Sequence, residues 1–280
     1  MARMNMRFPG GRDRALTLSY DDGVQTDVRL IAIMKQHGLK GTFNLNSDMF
    51  APEGTVYPAG QAPRRMSYSE TMACFADSGM EVAVHGADHP FWEELPQSVC
   101  VRDIIRDREQ LETMFSTIIR GAAYPFGTYS DATVEALRAC GIAYCRTVVS
   151  TGNFALPTDF LRWHPTCHHN DNRLMSLAKS FVEAPKQQKK AMLFYLWGHS
   201  YEFDGLNNWN VIEEFAQYIG GKDHIWYATN IEIIDYINAY RSLRFSADGT
   251  RIYNPTLIEV WFAEKGKLFS VAPGQTITLA

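Results

Sequence analysis

Residues Arg14 to Gly23 read Arg-Ala-Leu-Thr-Leu-Ser-Tyr-Asp-Asp-Gly. The first seven are apolar or hydroxyl-bearing and suit an extended, buried strand. The run then stops on two carboxylates and a glycine. Setting Asp21 beside Asp22 at a strand end is costly for folding alone, because adjacent carboxylates repel and lose hydration. A cation nearby removes that cost. An ordinary helix N-cap before a turn glycine is the competing reading, since Asp commonly precedes a helix. Thr26–His37 continues as an amphipathic helix, with Val28, Leu30, Ile31, Ile33 and Met34 on its apolar side, and His37-Gly38 reads as its end.

This strand-then-helix unit repeats outward along the chain. Gly41–Asn46, Met80–His85, Ile118–Tyr124, Ala143–Val149, Ala191–Trp197 and Ile225–Ala228 read as further strands. Between them lie helices at Gln97–Phe115, Ser130–Cys140, Asn172–Ala184 and Asn207–Ile219. Two more helices open on capping-box spacings, Ser67 with Glu70 and Thr229 with Glu232. Ala51–Arg65 is rich in proline and glycine and reads as a loop, and residues 150–171 read as irregular. Seven strands, each followed by a helix, require parallel pairing through crossovers. Periodicity leaves two forms open, an open doubly wound sheet and a closed barrel; in both, a site belongs at the C-terminal strand ends. After residue 243 the pattern changes. Asp248-Gly249, Lys265-Gly266 and Pro273-Gly274 separate alternating segments, which predicts a few antiparallel strands. The expected organisation is an α/β unit over 1–243 and a β extension over 244–280.

Three further motifs fall at expected strand ends. His85-Gly86-Ala87-Asp88-His89-Pro90 ends the third strand, and histidines four apart can chelate one ion. With Asp22 they form a two-histidine, one-carboxylate set that leaves positions open for water and substrate. Trp197-Gly198-His199 ends the sixth strand, and His199 has the pKa range of a proton donor. Tyr124-Pro125-Phe126-Gly127 makes a rigid aromatic turn after the fourth strand.

Composition excludes several classes. A chain of 280 residues buries an ample core without disulfides or structural metal. Lys+Arg of 27 against Asp+Glu of 31 gives no basic excess for nucleic acid. Five cysteines, none in a Cys-x-x-Cys pair, argue against a disulfide framework or a zinc ribbon and fit reduced thiols. MARMNMRFPGGRDR has no apolar core of a signal peptide, and no apolar run approaches the ~20 residues of a spanning helix. The expectation is a cytoplasmic chain that touches neither membrane nor nucleic acid; oligomerisation stays open.

Taken in order, Asp21-Asp22-Gly23, His85-x-x-x-His89, Tyr124-Pro-Phe-Gly127 and Leu196-Trp-Gly-His199 resemble the polysaccharide deacetylases, the NodB-homology domains of carbohydrate esterase family 4. The resemblance covers about residues 14–241. It implies a distorted (β/α)7 barrel, here with a small C-terminal antiparallel appendage. It also implies a hydrolase that removes acetyl groups from N-acetylated, or O-acetylated, sugars. By its pattern Asp21 is the general base, Asp22, His85 and His89 hold a divalent metal, and His199 is the general acid. Zinc suits two nitrogens and one carboxylate, with cobalt, manganese and nickel as alternatives. A backbone N–H near Tyr124 is expected to help hold the oxyanion. Two family features are missing. Ala123 stands where an arginine usually orients the base; Arg120 and Arg146 are the candidates to replace it, and Arg146 is preferred because strand ends converge. The family's Asp-Trp element beside the acidic histidine has no clear counterpart, and His168 is the candidate substitute. Tyr124, Pro125, Phe126, Trp163, His168 and Trp209 are expected to contact substrate, the tryptophans by stacking. Two alternatives remain: a hydrolase of other non-peptide C–N bonds on the same fold, and a catalytically weak carbohydrate-binding relative.

Overall fold

The computed structural model of the protein describes residues 4–185 and 190–279. The chain opens with β1 (Asn5–Arg7) and then enters the alternating unit: β2 (Arg14–Asp21), α1 (Asp27–Gln36), β3 (Gly41–Leu45), α2 (Tyr68–Phe75) and β4 (Glu81–Val84). Next come α3 (Gln97–Phe115), β5 (Gly121–Ala123), α4 (Asp131–Ala139), β6 (Tyr144–Arg146), β7 (Cys167–His168), α5 (Leu174–Glu183) and β8 (Met192–Gly198). The unit finishes with α6 (Tyr201–Gly205), α7 (Asn210–Ile219), β9 (Ile225–Tyr227) and α8 (Asn230–Arg241).

Every residue of β2 is buried, because strands lie on both of its edges and helices outside. One edge pairs with β8 from Arg14 to Tyr20. The other pairs with β9 at Arg14–Leu16 and with β3 at Leu18–Asp21. All pairings in this eight-stranded sheet are parallel, in the order β6-β5-β4-β3-β2-β8-β7 with β9 beside β2. The sheet curls into a distorted barrel, as the resemblance implied and periodicity could not decide. β7 is the strand the sequence reading missed inside 150–171; two residues are too few to display a period. The Trp163 N–H donates to the Cys145 carbonyl at 3.0 Å and the Thr166 N–H to the Tyr195 carbonyl at 2.8 Å, so this one segment runs from β6 across to β8.

Ser67, Ser130 and Thr229 cap α2, α4 and α8 with reciprocal side-chain and backbone bonds. The helix expected at 207–219 is α7, and the short α6 that precedes it was not expected. At the end of the chain lie β10 (Arg244–Phe245), β11 (Arg251–Tyr253), β12 (Val260–Glu264), β13 (Lys267–Val271) and β14 (Thr276–Thr278). They form antiparallel sheets β1-β12-β13 and β10-β11-β14. The start of the chain thus shares a sheet with its end. Tyr236 on α8 pins both, donating to the Arg7 carbonyl at 2.5 Å and accepting from the Trp261 N–H at 2.9 Å. The five cysteines are unpaired thiols. Among the described residues no helix is long and apolar enough to cross a membrane.

Candidate active site

The C-terminal ends of β2, β4, β6 and β8 converge and bring together Asp21, Asp22, His85, His89, Arg146 and His199. Asp21 is 2% exposed. Its Oδ1 accepts from Asn44 Nδ2 at 2.8 Å, and its Oδ2 takes the Arg146 guanidinium. His85 Nε2 and His199 Nε2 stand 3.8 and 3.7 Å from that same oxygen. Burial opposes ionisation, but Arg146, the two histidines and Asn44 outweigh it and hold the carboxyl down at about 2. Asp21 is therefore an anion near neutral pH. Arg120, the other candidate partner, lies elsewhere, forked onto Asp235 at 3.0 and 2.6 Å. Arg146 is itself fully buried, with its guanidinium carbon 4.5 Å above the Trp197 ring.

Asp22 points the other way, towards His85 and His89. One ligand atom from each of the three lies within 4.8 Å of the others. His85 Nδ1 faces the Ala123 carbonyl at 2.9 Å, which fixes the proton there and leaves a lone pair on Nε2. That nitrogen meets His89 Nε2 at 3.2 Å. Burial lowers both histidines, His89 to about 4 with help from neighbouring His85, so both are neutral near pH 7. Neutral imidazoles and a carboxylate form the donor set of a borderline divalent metal such as zinc. The residues present fit that group.

His199 follows Gly198 at the end of β8. Its Nδ1 bonds Glu202 Oε1 at 3.1 Å, which turns Nε2 towards Asp21. Burial pulls the imidazole down, but Glu202, Asp21 and Asp22 prevail and raise it above its ordinary value. Glu202 gathers two more histidines: His168 Nε2 at 3.2 Å and His169 Nε2 at 2.9 Å. These three residues also have metal-ligand proximity. However, the Asn170 N–H donates to His168 Nδ1 at 3.2 Å. His168 Nε2 then carries the proton and faces Glu202, so it has no lone pair to offer an ion. The His168 and His199 rings lie 6.4 Å apart between centroids, and Glu202 takes the His199 Nδ1 contact. Gly198 is required by packing here, since a Cβ on it would meet His169 Nδ1 at 2.0 Å.

The expected substrate contacts divide. Phe126 is half exposed, stacked face to face on Phe91 at 3.7 Å and edge-on to His89 at 4.4 Å. Pro125 is buried against Gly86, and His168 is partly exposed at the rim. Three expectations are corrected. Trp163 is 1% exposed, enclosed by Tyr144 and Tyr195, and offers no open face. Trp209 is buried under Arg29, 4.2 Å above its ring, with Nε1 donating to Asp204. Tyr124 is buried with its hydroxyl on the Leu161 carbonyl, and its backbone N–H donates to the Arg146 carbonyl at 3.0 Å, so it is not available to an oxyanion.

Sequence reading missed Glu202, Asn44 and Arg65. Glu202 has a local signal, three residues after His199 on one helical turn. Asn44 and Arg65 have none. Arg65 ends the Pro/Gly-rich loop and donates from Nη2 to Asp22 Oδ1 at 2.9 Å, and from Nη1 to Asn46 Oδ1 at 2.7 Å and to the Asp22 carbonyl.

Residues 9–145 match the family model of polysaccharide deacetylase. A Mycobacterium smegmatis structure described as a polysaccharide deacetylase is 15% identical, with a TM-score of 0.61 over 86% of this chain and 96% of that one. A Bacillus subtilis peptidoglycan deacetylase, solved in mutant form, is 14% identical, with a TM-score of 0.53 over 81% and 92%. The carbohydrate esterase family 4 domain of a xylanase from the hindgut metagenome of Trinervitermes trinervoides is 13% identical, with a TM-score of 0.51 over 81% and 92%. At such identities these structures speak to the fold. None of the curated proteins matches the chain. Over residues 9–145 the chain is thus similar to the polysaccharide deacetylases, and it has the fold of those solved structures.

Proposed function

We propose that this protein is a metal-dependent hydrolase that removes acetyl groups from N-acetylated, or O-acetylated, sugars. The observation that carries the reading is the division of labour between neighbours. Asp21 is an anion held by Arg146 and Asn44, whereas Asp22 turns to two neutral histidines. Only one of two adjacent carboxylates is then left to handle protons. The family match supports an acetylated carbohydrate as the substrate class.

Asp22, His85 and His89 would hold the metal. Zinc fits best, and cobalt, manganese or nickel are accommodated by the same donors. Such an ion supplies Lewis acidity to an acetyl carbonyl and to water. Asp21 acts as general base, taking the proton of the attacking water; Arg146 holds the carboxylate in place and keeps it ionised. His199, protonated through its contact with Glu202, gives its proton to the departing amine or hydroxyl. Phe126 and Phe91 present an apolar wall beside His89, suited to the apolar face of a sugar ring.

The test is acetate release from acetylated sugars by metal-loaded protein, alongside elemental analysis. Asp21→Asn and His85→Ala should each cost at least about 100-fold in rate, the lower end for a lost acid–base group. Full activity in either variant would refute the reading. Acetate release by protein shown to be metal-free would refute the metal dependence, and metal-free turnover of another amide without acetate release would move the reading to hydrolysis of another C–N bond.

A further inference from the structure

Asp22 sits at φ 88°, a backbone region that favours glycine, while its side chain is 10% exposed. A buried aspartate in that conformation persists only if its surroundings hold it. Arg65 holds it from both ends, through the carboxylate Oδ1 and the backbone carbonyl of Asp22. The other carboxylate oxygen is left for a cation. The same guanidinium reaches Asn46 Oδ1, and Asn46 Nδ2 donates to the carbonyls of His85 and Gly86 at 2.7 and 2.8 Å. One side chain therefore ties Asp22, at the end of β2, to the turn that carries His85, at the end of β4.

Arg65 is anchored in turn. Its backbone bridges to Val24, the Met66 N–H donates to the Gly23 carbonyl at 3.1 Å, the Gln25 N–H to the Arg64 carbonyl at 2.8 Å, and Tyr57 donates to the Arg65 carbonyl at 2.8 Å. The Arg65 side chain is 18% exposed, unlike a solvated surface arginine. We propose that Arg65 is the positioning residue of the metal site, setting the orientation of Asp22 and its separation from the His85 turn before a cation arrives. This rests on the reading that Asp22, His85 and His89 hold a metal.

Two effects of opposite sign compete. As a positioning residue Arg65 raises metal affinity; as a mere neighbouring cation it lowers affinity by repulsion. The experiment is a cobalt(II) titration of wild type, Arg65→Met, Arg65→Lys and Arg64→Met, followed by visible absorbance, with circular dichroism to check folding. Folded Arg65→Met should bind cobalt roughly ten- to a hundredfold more weakly, as for loss of an outer-shell partner. Arg65→Lys, which keeps the charge but not the planar fork, should lose part of that affinity. Arg64→Met should bind like wild type, because Arg64 pairs with Asp204. Unchanged or tighter binding in folded Arg65→Met overturns the inference. If that variant does not fold, unchanged or tighter binding in Arg65→Lys does so. Wild-type protein that binds no cobalt overturns the metal-site reading itself, whereas wild type that binds with Arg65 variants that match it overturns this inference alone.

Discussion

The chemistry of single residues here is set by what each polar atom faces. Asp21 and Asp22 are neighbours in the chain, yet one faces Arg146 and the other faces two imidazoles and Arg65. Glu202 shows the same principle for His199. Its carboxylate raises the imidazole against the effect of burial and fixes which nitrogen faces Asp21. Glu202→Gln should therefore lower the pKa of His199, because the imidazolium loses its anionic partner. An acid that must be protonated to act then fails at lower pH. The alkaline limb of the acetate-release profile should move towards acid, and an unmoved limb would remove Glu202 from this role. Glu202 was legible in principle from its i, i+3 spacing to His199. Arg65 was not, since a proline- and glycine-rich loop has no period from which to read where its last arginine points.

Among the elements, agreement is best where one local signal suffices. Ser67 with Glu70 and Thr229 with Glu232 carry capping-box spacing in the sequence, and both boxes form, with return bonds to the cap N–H of 2.8 Å each. Ser67→Ala should lower stability by about 1 kcal/mol, read as a shift in the denaturant midpoint at unchanged slope. β7 went unseen because its residues pair through position alone, lying alongside β8. The aromatic expectations failed for a related reason. Trp163 and Trp209 are the residue type that stacks on sugars, but that type also fills cores, and here both are buried. Phe126 is exposed because its turn, at φ 58°, projects it beside His89.

At the scale of the whole molecule, the barrel buries acids as well as apolar side chains. Asp27 is 0% exposed and accepts from Ser200 Oγ and the Val24 N–H at 2.5 and 3.0 Å. Burial raises its carboxyl to about 7 despite those bonds. The unfolded value is about 3.9, so between the two the folded state binds the extra proton. This group's contribution to stability is full below about 3.9 and lost as pH rises through about 7. Thermal midpoints of the wild type should accordingly fall between about pH 4 and pH 7 more steeply than those of Asp27→Asn. Equal slopes would show that Asp27 does not titrate in that window.

The sequence by itself determined the alternation of strand and helix, the parallel sheet that follows from it, and the strand ends where Asp21, Asp22, His85 and His199 fall. These are consequences of local periodicity, capping and chain connectivity, which act over a few residues at a time. Tertiary structure decided what periodicity left open: that the sheet curls into the barrel the resemblance implied, with β7 paired to β8, that Arg146, the candidate preferred over Arg120, meets Asp21, and that Arg65 and Asn46 brace the Asp22 turn. Those outcomes depend on distances between residues far apart in the chain. The packed barrel sets those distances, and no local pattern records them.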